Sequence, residues 1–168
     1  MTSAPDPAPN LQHVATLRAY ISPEVVNVGS RSTEHDRFIA PVIGGFFKLT
    51  TKDIEAEIIP PGADWPIADS STGHAYLDVR LRAKTTEGEL YIQYTGVLKM
   101  NEAATKAFSG AHDAKSTNFG DASWFTRLTV ETSDTRLKWL ETSLLVGQGR
   151  WHVDETGTAA EYMVYKLC

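Results

Sequence analysis

The stretch YLDVRLRAKTTEGELYIQYTGVLK, residues 76–99, decides the fold of this chain. Apolar and polar side chains alternate along residues 76–84 and again along residues 90–99, which is typical of a β-strand with two different faces. The residues between them, 85–88, form a short turn signal that contains a glycine. Two alternating runs joined by such a turn predict an antiparallel β-hairpin.

Outside this hairpin the chain also consists of short apolar runs separated by turn signals. Residues 54–59 alternate cleanly and stop at Pro60-Pro61-Gly62, which cannot continue a central strand. The paired glycines at 44–45 interrupt the apolar run 38–47, which suggests a bulge or a close backbone approach. Further strands are predicted over residues 11–20, 124–131, 150–153 and 162–167. We therefore predict a mainly β protein, a single antiparallel calycin-like barrel, rather than a parallel α/β fold.

Three segments interrupt the predicted strands. Residues 1–10 carry three prolines and indicate a disordered leader, which leaves residues 11–168 as one barrel domain. Residues 101–123 are rich in small and polar residues, with helical propensity only over 101–108, and such an insertion is often a lid or binding loop. One late α-helix is predicted over residues 136–145, after a capping signal at 133–135 and before the glycines of 147–149.

Composition excludes several classes of function. The formal net charge is -5 and the pI about 5.5, so the positive field that nucleic-acid binding requires is missing, and no basic cluster favours an anionic membrane surface. Cys168 is the only cysteine, which excludes an internal disulfide and favours a reducing compartment. The start lacks a signal-peptide pattern, and no apolar run is long enough to span a bilayer. We expect a cytoplasmic protein.

The motifs of common cofactor and metal enzymes are absent from the sequence. It contains no glycine-rich phosphate loop, no Gly-x-Ser-x-Gly elbow and no His-Glu-x-x-His. Its histidines are scattered without the spacing of a metal-binding pair: His13, His35, His74, His112 and His152. We therefore expect neither a metal nor another cofactor.

The predicted hairpin carries charged side chains along one of its faces. This charged stripe consists of Asp78, Arg80 and Arg82, and the hairpin register adds Tyr91, Gln93 and Thr95 to the same face. The other face collects Leu90, Ile92 and Tyr94. In one interpretation the stripe is a solvated outer face with ordinary cross-strand ion pairs. In the other it lies inside a partly hydrated barrel, where Arg80 could keep Asp78 ionised or orient a substrate oxygen.

A second candidate site lies in the stiff segment 60–66, which places Asp64 beside Trp65. This arrangement suits either a structural corner or a preorganised wall of a site. Burial against Trp65 would raise the pKa of Asp64 and make it a general acid. The other tryptophans, Trp124, Trp139 and Trp151, are by default core residues, although two or three of them together could line a pocket for a flat hydrophobic ligand.

Several short segments, in this order, resemble one known family. They are PVIGG (41–45), PGADW (61–65), LDVR (77–80), EGELYI (87–92) with Gly96, FTR (125–127), ET (131–132), WL (139–140), VGQGR (146–150) and YMVY (162–165). Over about residues 11–167 the chain resembles the domain of unknown function 3237 family, which consists of small calycin-like β-barrels. The resemblance implies a central cavity without a prosthetic group.

Some fungal members of that family are cofactor-free cyclases of natural-product pathways, which add a hydroxyl across an alkene of a prenylated aromatic polyketide. This chain departs from the common bacterial pattern at residues 30–35, where a glycine-richer loop is usual, and at 101–123. Both departures could reshape the mouth of the pocket. The family match also favours a pocket role for Asp64, Asp78 and Arg80, since they lie in its most distinctive motifs.

Our leading hypothesis is a cofactor-independent cyclase or isomerase of secondary metabolism that acts on a hydrophobic aromatic small molecule. Asp64 or Asp78 would be the acid or base, and Arg80 with Arg127 would hold a phenolate or carbonyl oxygen. The remaining substrate-binding candidates are Trp65, Tyr91, Gln93, Tyr94 and Trp139. The alternatives are a lipocalin-like binder without catalysis and a structural barrel with a filled lumen. The sequence does not decide which hairpin face points inward, and it is compatible with a homo-oligomer.

Overall fold

The structure, a computed structural model, describes residues 8–30 and 35–168. Within these ranges lie ten strands and two short helices. The strands are β1 (Leu11–Ile21), β2 (Val26–Ser30), β3 (His35–Leu49), β4 (Glu55–Asp64), β5 (Ile67–Asp69), β6 (His74–Lys84), β7 (Glu89–Lys99), β8 (Trp124–Thr132), β9 (Leu145–Asp154) and β10 (Gly157–Leu167). The helices are α1 (Glu102–Phe108) and a 3-10 helix (Thr135–Leu140).

The described strands close into an eight-stranded antiparallel barrel. In order around the barrel, β1, β10, β9, β8, β7, β6, β4 and β3 are hydrogen-bonded neighbours, and β3 pairs back with β1. Closure satisfies the backbone N–H and C=O groups that would otherwise form an open sheet edge. The first half of β3 leaves the barrel wall to pair with β2 and β5. The predicted mainly β, single-barrel architecture is confirmed.

The hairpin predicted from residues 76–99 is formed by β6 and β7, which pair without a register shift from His74 opposite Lys99 to Lys84 opposite Glu89. At the turn, the N–H of Thr85 donates to the carbonyl of Gly88 over 2.8 Å. The apolar face points into the barrel: Leu77, Val79, Leu81, Leu90, Ile92 and Tyr94 are all buried. The charged face of the hairpin therefore points outward.

The paired glycines mark a close approach between strands, as their pattern suggested. A side chain at Gly45 would place its Cβ 1.9 Å from the carbonyl oxygen of Arg18, and the φ of Gly45 is +131°, a conformation that favours glycine. The pairing of β1 with β3 shifts register next to this point, between Tyr20 and Ile21. The bend allows β3 to pair with β1 and β4 inside the barrel and with β2 and β5 outside it.

The α-helix found in the described residues lies over Glu102–Phe108, within the insertion, and not over 136–145. The side chain of Asn101 caps it by accepting a hydrogen bond from the N–H of Ala104. At the predicted late position the chain forms the 3-10 helix and enters β9 at Leu145. Leu137 and Leu140 are buried, as a short 3-10 turn allows, whereas Leu144, the third leucine of the helical pattern, is exposed.

The rest of the insertion and the chain ends lie along the barrel wall. Residues 116 and 117 lie along the edge of β9 beyond its pairing with β8, where Thr117 exchanges hydrogen bonds with the backbone of Trp151. Asn10 exchanges two backbone hydrogen bonds with Cys168, which extends the β1–β10 pairing by one residue. The leader predicted over 1–10 otherwise falls mainly on residues 1–7, outside the described residues. No helix in the described ranges has the length and apolar character needed to cross a membrane.

Candidate functional site

The barrel encloses a cavity of about 310 Å³ at the end that α1 covers. This volume lies at the lower end of the range of about 300–1,000 Å³ found for small-molecule pockets. Aliphatic side chains from several strands form much of the wall, among them Val42, Leu77, Val79 and Leu98. The cavity can therefore hold a compact, mostly apolar molecule.

Helix α1 covers one end of this cavity. Phe108 lines the cavity and packs edge-to-face on Phe38 of β3, with ring centroids 5.6 Å apart. Thr105 and Ser109 also line it. The helical part of the predicted lid or binding loop, residues 101–123, thus borders the cavity, whereas residues 116 and 117 bond to the edge of β9.

Four aromatic side chains form a connected group along one side of the cavity. The rings of Trp124 and Trp151 lie 4.8 Å apart between centroids, and Tyr162 packs edge-on to both Trp124 (5.3 Å) and Tyr94 (5.1 Å). The glycine at 149 makes room for them, because a Cβ there would lie 2.5 Å from the Trp124 ring.

Asp64, the last residue of β4, brings a carboxyl group to this apolar cavity. Its Oδ1 accepts a hydrogen bond from the backbone N–H of Asp78 over 3.0 Å. Part of the Asp64 residue is accessible to solvent, but its carboxyl group is largely desolvated. The burial of the carboxyl group is what determines its pKa. Burial raises that pKa from 3.8 to about 7 and outweighs the hydrogen bond from the Asp78 N–H and the charge of Arg37, which both lower it. The charge of Asp78 adds to the rise. Near neutral pH the group can therefore both give and take a proton.

In the part of the chain that the structure describes, the other ionisable groups of the cavity wall are the hydroxyls of Tyr94 and Tyr162. The side chains are 3% and 1% exposed. Burial raises the pKa of both phenols, and the nearby Asp64 carboxylate raises it further. Both groups therefore remain protonated at neutral pH and can act as hydrogen-bond donors.

The interpretation that placed the charged stripe inside the barrel is wrong. The side chains of Asp78 and Arg80 are 37% and 45% exposed and form an ion pair of 3.4 Å on the outer wall. The aliphatic face of the same hairpin lines the barrel interior. Because successive side chains of a strand point to opposite faces, the charged face must point outward. Asp78 reaches the site only through its backbone N–H. Arg80 instead lies over the outward-facing ring of Trp65, 5.5 Å from its centroid.

Among the predicted substrate-binding residues, Tyr94 lines the cavity and the others lie elsewhere. Tyr91 and Gln93 share the outer face, where the Tyr91 hydroxyl donates to the Gln93 side chain over 3.3 Å. Arg127 is exposed on β8. Trp139 lies on the 3-10 helix with the amine of Lys166 5.9 Å from its ring centroid. The structure thus brings Asp64 and Tyr94 together and separates them from the other candidates.

Sequence reasoning missed Tyr162 as a site residue and treated Trp124 and Trp151 as core by default. A signal was available in the alternation of β9, where Gly147, Gly149 and Trp151 all face inward. Two inward glycines beside large aromatic residues indicate a barrel wall that leaves space for bulky side chains. The alternation could not show which strands face one another across the lumen.

Among residues 8–30 and 35–168, no three His, Cys, Asp or Glu side chains come together as metal ligands.

The chain is similar to two solved bacterial proteins. A conserved protein of unknown function from Rhodopseudomonas palustris is 24% identical, with 96% of this chain and 99% of that chain covered and a TM-score of 0.80. A β-barrel-like protein from Acinetobacter baumannii is 26% identical over 99% of this chain and 100% of that chain, with a TM-score of 0.72. These similarities agree with the barrel described above.

A more distant structure comes from a fungus and is described as an enzyme. This Penicillium herquei protein is 13% identical, both chains are covered completely, and the TM-score is 0.58. At this identity the likeness establishes a shared fold. No curated protein matches the chain.

One family model matches almost the full length of the chain, residues 9–167. It begins before β1 and ends at the last residue of β10, so it includes the whole barrel and the residues that line the cavity. The chain therefore belongs to the family described as protein of unknown function DUF3237.

Proposed function

We propose that this protein binds a small aromatic molecule inside the barrel and rearranges it by acid–base chemistry, as a cofactor-independent cyclase or isomerase. The observation that carries this proposal is the Asp64 carboxyl group, whose pKa burial raises to about 7 in an otherwise apolar cavity. Perturbed carboxyl groups of this kind are typical of catalytic acids and bases.

One such residue is sufficient for an intramolecular ring closure. The protonated carboxyl of Asp64 delivers its proton to one alkene carbon, and the hydroxyl oxygen of the substrate forms a bond to the other. The hydroxyl proton then returns to the carboxylate, so Asp64 ends in its starting state. The apolar wall excludes water that would capture the developing cation, and the enclosed volume holds the reacting groups together.

Two similarities support an enzyme of this type. The sequence resembles a family in which some fungal members are such cyclases, and the structurally similar Penicillium herquei protein is described as an enzyme. In this chain the chemistry would be carried by Asp64 with the hydroxyls of Tyr94 and Tyr162. The outer-face groups Asp78, Arg80 and Arg127 have no part in this mechanism.

The alternative is a small-molecule binding protein that performs no chemistry. The observation in its favour is the scarcity of ionisable groups, since Asp64 is the only carboxylate among the residues that line the cavity in the described part of the chain. A binding protein gains affinity from apolar area alone and does not need an activated carboxyl.

Ring closure of ortho-prenylphenol to dimethylchroman distinguishes the two, because substrate and product are isomers that chromatography separates. We expect turnover by the wild-type protein and a loss of about a hundredfold or more in Asp64→Asn. Asp78→Asn removes a partly exposed charge but keeps the backbone N–H that binds Asp64, so turnover should change far less. Binding of the phenol without turnover would favour the binding protein. Undiminished turnover in Asp64→Asn would remove the carboxyl from the mechanism.

A further inference from the structure

We infer that Tyr94 donates a hydrogen bond to an oxygen atom of the ligand, that Tyr162 positions it, and that the cavity therefore selects uncharged molecules with a carbonyl or phenolic oxygen. This inference rests on the proposed function in one respect only, that the ligand occupies the same cavity.

The two tyrosines meet across the barrel interior. Tyr94 lies on β7 and Tyr162 on β10, two strands that do not pair with each other. Their rings are nevertheless in edge-to-face contact with centroids 5.1 Å apart, and both line the cavity. Trp124 packs on the far side of Tyr162 and restricts the movement of its ring. The phenol groups are thus held in place before any ligand binds.

The packing of the rings favours Tyr94 as the donor to the ligand. Tyr162 lies against two aromatic rings, those of Trp124 and Tyr94, whereas Tyr94 contacts only the ring of Tyr162 among the described aromatic side chains. In the proposed arrangement the Tyr162 hydroxyl donates to the oxygen of Tyr94, and the proton of Tyr94 remains for an acceptor in the cavity. A hydroxyl that accepts one hydrogen bond becomes a better donor in the next, so Tyr162 would strengthen the donor that it supports.

The charge of the wall restricts the ligand further. No Lys, Arg or His side chain is among the cavity-lining residues in the described ranges. A carboxylate or phosphate would therefore find no cation among these lining residues, and it would face the ionised form of Asp64. A neutral carbonyl or phenol instead finds a hydroxyl donor within an apolar surface. The substrate class that fits is an uncharged aromatic compound with one oxygen acceptor.

Three probes of similar shape test this selection: acetonaphthone, its hydrocarbon isostere isopropenylnaphthalene, and naphthoate. Binding is measured at about pH 8, where most of Asp64 is ionised and does not compete as a donor. In the wild-type protein we expect the ketone to bind about three- to tenfold more tightly than the hydrocarbon. Naphthoate should bind more weakly than either.

Variants that remove one hydroxyl assign the donor. Tyr94→Phe should abolish the preference for the ketone and leave the affinity for the hydrocarbon within about twofold, whereas Tyr162→Phe should reduce the preference in part. Tyr165→Phe is the matched control, because Tyr165 lies on β10 with its hydroxyl 3.5 Å from the sulfur of Met163, outside the cavity lining. It should change nothing.

The carbonyl stretching frequency of bound acetonaphthone gives a second readout that a purely structural role would not move. It should be lowered in the wild-type protein and return toward the value in hydrocarbon solvent in Tyr94→Phe. Equal affinities for ketone and hydrocarbon, or an unshifted frequency, would overturn the tyrosine assignment and leave the role of Asp64 intact. Failure of all probes to bind would overturn both the assignment and the proposed function.

Discussion

Substitution of Asp64 by Asn should make the protein more stable, and increasingly so as the pH rises. A carboxyl group whose pKa is higher in the folded than in the unfolded protein binds protons more tightly in the folded state. The contribution of this carboxyl group to the free energy of unfolding is therefore most favourable at low pH. It is lost as the pH rises from the pKa of the unfolded protein through that of the folded protein. Asn has the same shape and its amide oxygen can still accept the hydrogen bond from Asp78, but it does not ionise.

The size of the effect follows from the two pKa values. The ordinary value is 3.8 and the folded value about 7, a difference of about three pH units. At about 1.4 kcal/mol per unit, the wild-type protein loses about 4 kcal/mol relative to the variant between about pH 4 and pH 8. This is a large fraction of the stability of a typical domain.

Urea unfolding followed by tryptophan fluorescence measures this difference directly at several pH values. The free energy of unfolding of Asp64→Asn minus that of the wild-type protein should rise from a baseline near pH 4 and level off above about pH 8. Asp53→Asn is the control, since Asp53 is exposed in a loop, and its difference should stay flat. A flat difference for Asp64→Asn as well would refute the buried, neutral carboxyl on which the proposed mechanism depends.

Three further substitutions test the packing of the barrel. Gly149→Ala places a Cβ 2.5 Å from the buried Trp124 ring and should lower the free energy of unfolding by about 1–3 kcal/mol. The control Gly44→Ala has no atom within 4 Å of the new Cβ and should leave the free energy of unfolding unchanged. Ala160→Phe fills the cavity, so acetonaphthone binding should fall by about tenfold or more while circular dichroism reports an intact barrel. The Glu161 side chain is 5% exposed and pairs with Arg18 and Arg150, so Glu161→Gln should lower the melting temperature by several degrees. The control Glu55→Gln weakens a half-exposed pair with Lys48 and should have no measurable effect. Because its partners lower the pKa of Glu161, the effect of Glu161→Gln should fade as the pH falls below about 4.5.

Local pattern was sufficient to predict the hairpin and the barrel class. The alternation along 76–99 fixes two strands, and the turn at 85–88 fixes their register, because both depend on residues close in sequence. The same alternation is typical of a strand with its aliphatic face in the core, and it was the family resemblance that favoured a pocket role for Asp78 and Arg80. In the structure the aliphatic face lines the barrel interior, and Asp78 and Arg80 lie partly exposed on the outer wall.

Tyr162 was beyond sequence reasoning for a different reason. Its partner Tyr94 is 68 positions earlier in the chain and three strands away around the barrel, so their contact depends on several strand registers at once. Asp64 was accessible to prediction because its setting is local, with prolines that end a strand and a neighbouring tryptophan. The burial came, however, from the cavity and not from Trp65, whose ring lies on the outer side beneath Arg80.

An NMR titration of the Asp64 carboxyl carbon, assigned by the absence of its signal from Asp64→Asn, measures the protonation on which the proposed mechanism depends. We expect a midpoint near pH 7 in the free protein and a change of the signal when acetonaphthone enters the cavity. A midpoint near 4, unaffected by the ketone, would contradict that mechanism, since the carboxyl would then be an ordinary solvated group.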